Sequence, residues 1–171
     1  MIEEVSAGGV VYRQIPAVIP AKAGIYTDGS RVKPGMTKGE ISGKIQILVA
    51  QHSQHHGWVF PKGFIGDKIE GEGKEETAIR EVEEETGIKG KIIQPLTPIT
   101  YWYQMEGIKH RKTVYYYIMH FVGGDISKHD WEMENVQWLP MENVEKRLTF
   151  PSDKKVWAQA QKLIAKLTID E

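Results

Sequence analysis

Carboxylate side chains concentrate in one short segment, where their spacing indicates a site for a cation. Residues 67–85 hold nine acidic residues against three basic ones, although the whole chain has a net charge of −1. At about 100° per residue, Glu81, Glu84 and Glu85 fall within one arc of a helix. Like charges at such spacings each cost roughly a few tenths of a kcal/mol. A segment that breaks a local rule in this way is a candidate functional site.

Three neighbouring glutamates are the kind of ligand set that a hard divalent cation prefers. Magnesium takes oxygen ligands, usually one or two carboxylates together with water and substrate phosphate. A metal held there would neutralise charge that develops on a phosphate and would activate a water molecule. Mg²⁺ is the expected ion, with Mn²⁺ as the alternative, and Arg80 is placed on the helical projection to hold a carboxylate. The competing interpretation of the same run is a solvent-exposed acidic helix.

The segment that carries these glutamates is predicted to be a helix. It opens between Gly71 and Lys74 and runs to about Thr86, with Gly87 in the C′ position. The residues expected to face the core are Ala78, Ile79 and Val82. One helix is therefore expected to carry a core stripe beside a carboxylate stripe.

Apolar runs predict strands before and after this helix. The predicted strands are residues 7–12, 44–50, 58–63, 91–93, 99–103, 113–122 and 135–139. The first two are expected to pair as a hairpin, and a basic turn at residues 109–112 is expected before the longest strand. Pro151 is predicted to begin an amphipathic C-terminal helix.

Residues 14–43 separate the two strands of the predicted hairpin and are far longer than an ordinary hairpin loop. They are rich in Pro, Gly, Ala and Lys without sustained periodicity, which indicates an inserted loop. Their central part resembles the translated product of a dispersed bacterial repeat element. The alternative is a lid over the site.

Composition places the chain among ordinary globular proteins. With 171 residues, 40% hydrophobic and 26% charged, the chain is expected to form a single domain over residues 1–171. It has no long apolar run and no leader-like start, so a cytoplasmic protein without membrane contact is expected. The absence of cysteine excludes disulfides and thiolate-bound metals. A compact acidic cluster suits a metal-bridged small anion, and duplex nucleic acid, which needs a broad basic face, is not an expected partner.

The residues around the glutamates fit one known motif at nine constrained positions. Gly66 is followed by five residues, Glu72 and seven residues, and then by Arg80-Glu81-Val82-x-Glu84-Glu85-x-Gly87-Ile88. This arrangement resembles the box of the Nudix hydrolase superfamily. The resemblance implies an α+β fold with a mixed sheet sandwiched between helices (α/β/α). It also implies hydrolysis of a nucleoside diphosphate linked to another moiety, with a nucleotide as the small-molecule substrate.

The resemblance also implies roles for individual residues. The implied divalent-metal ligands are Glu81, Glu84 and Glu85. Glu72 and Arg80 would orient the loop and the helix, and the implied structural glycines are Gly66, Gly71 and Gly87. The general base varies within the family, and in some members it comes from a later loop, so Glu132 or Glu134 is a second candidate. The alternative for these two is an exposed turn.

Looser motifs resemble the subgroup that cleaves dinucleoside polyphosphates such as diadenosine tetraphosphate. They are residues 58–63, Tyr101 with Tyr103, residues 112–117 and residues 148–151. The cations expected to meet the polyphosphate are Lys62, Lys109, His110, Arg111 and Lys112. Tyr101 or Tyr103 would stack on a base. The sequence departs from the subgroup because Phe64-Ile65-Gly66 separates the Lys62-Gly63 pair from the box.

Other interpretations stay open at this point. The same chemistry could act on an oxidised deoxynucleoside triphosphate, an RNA 5′-triphosphate end or a diphosphoinositol polyphosphate. A non-catalytic module that senses a nucleotide is a further alternative, although it would not need the full set of glutamates. The histidines at 52, 55 and 56 are interpreted as a polar turn rather than a metal site.

Overall fold

One mixed sheet organises the molecule. The structure is a computed structural model that describes residues 1–16 and 44–169. Its strands are β1 (Ile2–Ile15), β2 (Lys44–His52), β3 (Trp58–Val59), β4 (Lys62–Phe64), β5 (Ile88–Pro95), β6 (Ile99–Met105), β7 (Ile108–Gly124) and β8 (Met133–Pro140). Its helices are α1 (Lys74–Thr86), α2 (Met141–Arg147) and α3 (Pro151–Ile169), with a 3₁₀ turn at Ile126–Lys128. None of the helices in these ranges is long and apolar enough to cross a bilayer.

Strands of both directions meet at the centre of the sheet. The main path is β3-β2-β1-β7-β5, while β4 pairs with β1, β6 with β7 and β8 with β2. β1 and β7 run parallel, from the pair Ile2 and His110 to the pair Tyr12 and His120. β1 and β2 form the predicted antiparallel hairpin, in which Ile15 lies opposite Lys44.

Helices cover both faces of the sheet, as the α/β/α expectation requires. Successive residues of a strand point to opposite faces, so Val10 and Tyr12 of β1 enter one core while Ala7 and Val11 enter the other. α3 packs Val156, Trp157, Ala160 and Ile164 into the first core. α1 packs Ala78 and Val82 into the second. The predicted fold class is therefore confirmed.

α1 ends where the sequence predicts. Gly87 has φ 75°, and its N–H donates to the Glu83 carbonyl at 2.8 Å. A side chain at Gly87 would place Cβ 2.1 Å from the Asp125 carbonyl oxygen. Glycine is needed here for both the left-handed backbone and the close approach of the next loop.

Three local expectations were wrong. Lys109–Lys112 lie inside β7, because the turn is formed earlier, at Glu106 and Gly107, where both residues have positive φ. β1 continues to Ile15, so residues 14 and 15 are strand rather than inserted loop, and residues 17–43 lie outside the described part. Ile79 is 38% exposed. Ile79 lies within about 60° of Glu76 and Glu83 around the helix. The arc of α1 that faces the core is therefore narrower than predicted and excludes Ile79.

Candidate active site

Arg80 is the hub of the acidic segment. Its guanidinium donates to both carboxylate oxygens of Glu72, at 2.8 and 2.9 Å, and to Asp67 at 3.0 Å. It also reaches Glu81 at 2.8 Å and Glu84 at 3.2 Å. The bonds from Arg80 hold the pKa of the Glu72 carboxyl below its usual range. Arg80 therefore ties the loop before α1 to the helix, which is the orienting role expected for Glu72 and Arg80.

Two of the three predicted ligands are buried against β4. Glu85 is 3% exposed, and its carboxylate accepts the backbone N–H of Lys62 at 3.1 Å. Glu81 is 4% exposed and lies so close to Gly63 that a Cβ there would be 2.1 Å from its carboxyl carbon. Burial raises the pKa of Glu81, and raises that of Glu85 well above its ordinary value. The Lys62 N–H thus holds the Glu85 carboxylate, while the Glu81 carboxylate packs against Gly63 and is bonded by Arg80.

The third predicted ligand, Glu84, is occupied by cations of the chain itself. Lys68 donates to the Glu84 carboxylate, which Arg80 also contacts. Over the described ranges 1–16 and 44–169, no three acidic or histidine side chains converge in a geometry that would hold a metal.

The carboxylate chemistry of the site nevertheless fits a hard divalent ion. The Lys68 ammonium and the Arg80 guanidinium supply positive charge beside Glu81 and Glu84, where the bound ion would supply it. The residues therefore fit Mg²⁺ or Mn²⁺, provided that Glu84 exchanges Lys68 for the ion.

Next to Glu85 opens a cavity of about 730 Å³. Among the predicted substrate contacts, those that line it are Lys62, Tyr101, Tyr103 and Lys112. Burial, together with the charge of Lys62, lowers the pKa of Lys112 to about 8. The structure thus brings four separate sequence candidates to one cavity beside Glu85, the one predicted metal ligand among its lining residues.

The two predicted stacking tyrosines differ in what their rings already contact. The ring of Tyr103 stacks on His110 at a centroid distance of 4.8 Å, and its hydroxyl donates to Glu4. Burial and this hydrogen bond raise the pKa of Tyr103 to about 12. Tyr101 is half-buried and approaches Tyr103 at 6.3 Å. Tyr101 is therefore the tyrosine with the less occupied ring.

Other predicted phosphate contacts lie outside this cavity wall. Arg111 bonds Glu3 at 3.3 Å and lies over the Trp102 ring, because strand alternation turns it away from the side that Lys112 occupies. His110 is buried against Glu4 at 3.2 Å. Lys109 and Arg111 are an even number of residues apart on β7, so both lie on the face of the sheet opposite to Lys112.

The two candidate late-loop acids are separated by the fold. Glu132 lines the cavity. Glu134 is not among the lining residues and bonds the Nδ1 of His56 at 2.7 Å. The described geometry therefore favours Glu132 over Glu134 as a group that faces a substrate.

Several lining residues were not assigned to the site from sequence. Asp153, in the first turn of α3, is 4% exposed and accepts the Phe60 N–H at 3.1 Å. Its burial raises the pKa of the carboxyl. A polar turn was predicted for both His52 and His55, but His52 ends β2 and only His55 lies in the turn that follows. Both histidines line the cavity with Phe150. Of this group of lining residues, the sequence pointed only to Phe150, through the motif at residues 148–151.

Comparison with known proteins gives the family of the chain. The NUDIX domain family matches residues 38–161. A candidate mutator protein, MutT4, from Mycobacterium tuberculosis (strain CDC 1551 / Oshkosh) is 42% identical over 113 residues, which are 66% of this chain and 44% of that protein. An RNA pyrophosphohydrolase from Shewanella pealeana (strain ATCC 700345 / ANG-SQ1) is 36% identical over 78 residues, 46% of this chain and 42% of that protein. The matches thus cover less than half of the length of these relatives.

Solved structures share the fold over nearly the whole chain. A C. elegans Ap4A hydrolase binary complex has a TM-score of 0.65 at 22% identity and covers 95% of this chain and 98% of its own. The NUDIX domain of Shewanella oneidensis NrtR, complexed with ADP ribose, has a TM-score of 0.63 at 17% identity and covers 96% and 90%. At these identities the likeness shows the fold alone. The family match over residues 38–161 establishes that this chain belongs to the NUDIX domain family.

Proposed function

We propose that this chain is a Mg²⁺-dependent pyrophosphohydrolase of dinucleoside polyphosphates such as diadenosine tetraphosphate. The observation that carries the proposal is the cavity, in which buried Glu85 adjoins Lys62 and Lys112. A carboxylate that can bind a metal, next to two lysines that can bind phosphate oxygens, suits a metal-bound phosphate chain. The Ap4A hydrolase with the same fold supports this choice of substrate.

Each group of side chains has a separate task in this proposal. Glu81, Glu84 and Glu85 would hold the ion, which supplies charge neutralisation at phosphate and a more acidic water molecule. Lys62 and Lys112 bind phosphate oxygens by charge-assisted hydrogen bonds. Arg80 and Glu72 fix the loop against the helix and are positioning residues.

We assign proton acceptance to Glu132 as an alternative to a glutamate of the box. Glu132 faces the cavity, whereas Glu134 is engaged by His56. A general base must come within hydrogen-bond reach of the proton that it removes. Of the two candidates that the sequence offered, Glu132 and Glu134, the proposal takes Glu132 for this reason.

A second candidate substrate class rests on the curated relatives. An 8-oxo-(d)GTP phosphatase from Mycolicibacterium smegmatis that is 31% identical over 112 residues favours an oxidised nucleoside triphosphate. The RNA pyrophosphohydrolases favour a triphosphorylated RNA end. All three substrate classes use the same glutamates, and products distinguish between them.

Product analysis tests the proposal. The protein is incubated with Mg²⁺ and diadenosine tetraphosphate, an oxidised nucleoside triphosphate or a 5′-triphosphate RNA, and the products are separated by anion exchange. We expect ATP and AMP from diadenosine tetraphosphate. Glu84→Gln and Glu85→Gln should each lower turnover by more than about 100-fold, because even outer-shell partners of a metal are worth 10 to 100-fold.

Glu83→Gln is the matched control, because Glu83 lies on the same helix but is half-exposed and meets only Lys89, at 3.9 Å. It should retain full turnover. Circular dichroism verifies that each variant is folded. A folded Glu85→Gln protein with unchanged rate would refute the assignment, and turnover of another panel member alone would replace the substrate.

A further inference from the structure

Two histidine side chains in the cavity are arranged face to face. The rings of His52 and His55 are stacked, with centroids 4.2 Å apart and an interplanar angle of 10°. The edge of Phe150 meets His55 at 5.2 Å and 84°. All three residues line the cavity. One face of each ring is therefore covered by the other ring.

Backbone hydrogen bonds fix which nitrogen of each ring carries the proton. The Nδ1 of His52 accepts the Gln54 N–H at 3.2 Å, and the Nδ1 of His55 accepts the Gly57 N–H at 3.0 Å. A backbone N–H only donates, so each Nδ1 is unprotonated and a neutral ring carries its hydrogen on Nε2. Burial lowers the pKa of both rings, which favours this neutral form. Each ring thus holds one N–H donor on the side away from the turn.

Neither Nε2 is engaged by a side chain or backbone group of residues 1–16 and 44–169. Among the described residues, no hydrogen bond is made by either Nε2. Lys62 is the cation whose charge acts on both rings and also on Lys112. Lys62 therefore lies within electrostatic range of the histidine pair and of Lys112, and all four residues line the cavity.

We propose that His52 and His55 form an oxygen-binding subsite whose two Nε2–H groups bind the distal phosphates of a long polyphosphate chain. A phosphate presents several acceptor oxygens that can meet two neighbouring donors at once. Two N–H donors on ring edges suit the oxygens of a phosphate better than the flat face of a nucleobase. The negative charge of Glu132 disfavours an anion at this end of the cavity, and the positive charge of Lys62 compensates for it. The subsite rests on the proposed function and narrows it to substrates with more than two phosphates.

Binding of inorganic tripolyphosphate without metal tests the subsite apart from catalysis. Calorimetry compares the full chain with His52→Ala and His55→Ala. We expect each variant to bind about tenfold more weakly, because each loses one hydrogen bond to a charged group. His52→Gln and His55→Gln place an amide N–H near the lost Nε2–H and should recover most of the affinity. His56→Asn is the control, because His56 has φ 58° and pairs with Glu134 outside the cavity lining.

Equal binding by wild type and both alanine variants, or no binding by wild type, would overturn the proposal. Turnover gives the second readout. The ratio of kcat/KM for diadenosine tetraphosphate to that for the two-phosphate substrate ADP-ribose should fall in the alanine variants and recover in the glutamine variants. Equal losses on both substrates would refute selection by chain length. If neither substrate is cleaved, the proposed function fails, while the calorimetry still decides the subsite.

Discussion

At the scale of single residues, the site depends on charges that are held away from water. Lys112 sits on a mostly covered strand position beside Lys62, and the cost of charging it there lowers its pKa to about 8. Its neighbour Arg111 points to the other face of the sheet, where its guanidinium donates to the exposed Glu3 carboxylate. A lysine with such a pKa loses its proton within the range in which enzymes are usually assayed.

This gives a pH dependence for Lys112. Below about pH 8 the ammonium is charged and binds a phosphate oxygen, and as the pH rises through that value the charge is lost. We expect the KM for the polyphosphate substrate to rise by about tenfold across this range. Lys112→Arg stays charged, because arginine titrates above about pH 12, so its KM should stay flat. A wild-type KM that is equally flat through pH 8 would contradict the assignment.

At the scale of elements, β4 and α1 form the acidic site between them. The short β4 pairs with β1, which fixes the backbone of Lys62 and Gly63. That backbone in turn bonds the Glu85 carboxylate through the Lys62 N–H and leaves room for the Glu81 carboxylate at Gly63. This contact between β4 and α1 cannot be read from the sequence, because residues 65–73 separate the two elements along the chain.

Gly63→Ala tests the contact between β4 and α1. Its Cβ would lie 2.1 Å from the Glu81 carboxyl carbon, and the buried carboxylate would have to move. We expect Mn²⁺ affinity, measured by electron paramagnetic resonance, to fall about 10 to 100-fold. Gly123→Ala, in β7, adds a Cβ that meets nothing within 4 Å and should bind as wild type does. Unchanged Mn²⁺ affinity in a folded Gly63→Ala protein would disprove the packing argument.

The β1–β2 hairpin offers a second element-level prediction. Ile15 and Lys44 lie opposite each other, so residues 16–43 can be replaced by Asn-Gly, a pair suited to a two-residue hairpin turn. We expect kcat/KM to be unchanged, because the described site residues come from other loops and strands. If the shortened protein is folded but inactive, the replaced residues are part of the site.

At the scale of the whole molecule, one face of the sheet carries both a core and the cavity. α3 packs Trp157 into the first core, where its ring lies 6.4 Å from that of Phe60. The first turn of the same helix places Asp153 on the cavity wall and on the Phe60 N–H. Packing of α3 is therefore coupled to the shape of the cavity.

Trp157→Ala should destabilise the protein by about 3–5 kcal/mol, the cost of truncating a large buried ring. Urea unfolding measures this change. Lys154→Ala, exposed on the same helix, is the control and should stay within about 0.5 kcal/mol of wild type. A loss below about 1 kcal/mol for Trp157→Ala would show that α3 contributes little to the core.

The sequence by itself determined what depends on local spacing. α1 and its glycine stop follow from periodicity and backbone conformation, and they were readable because the residues that define them are close together along the chain. The β1–β2 hairpin was readable from its two apolar runs although a long insertion separates them. The α/β/α class followed from the box residues through resemblance.

Only the tertiary structure decided which side chains share the cavity. Glu132 rather than Glu134, and Lys112 rather than Arg111, face it because strand register and loop closure choose between neighbours of similar chemistry. Asp153 and the His52–His55 pair join it from segments about 100 residues apart. The pKa changes at Glu85 and Asp153 follow burial, which is a property of packing and has no local sequence signature.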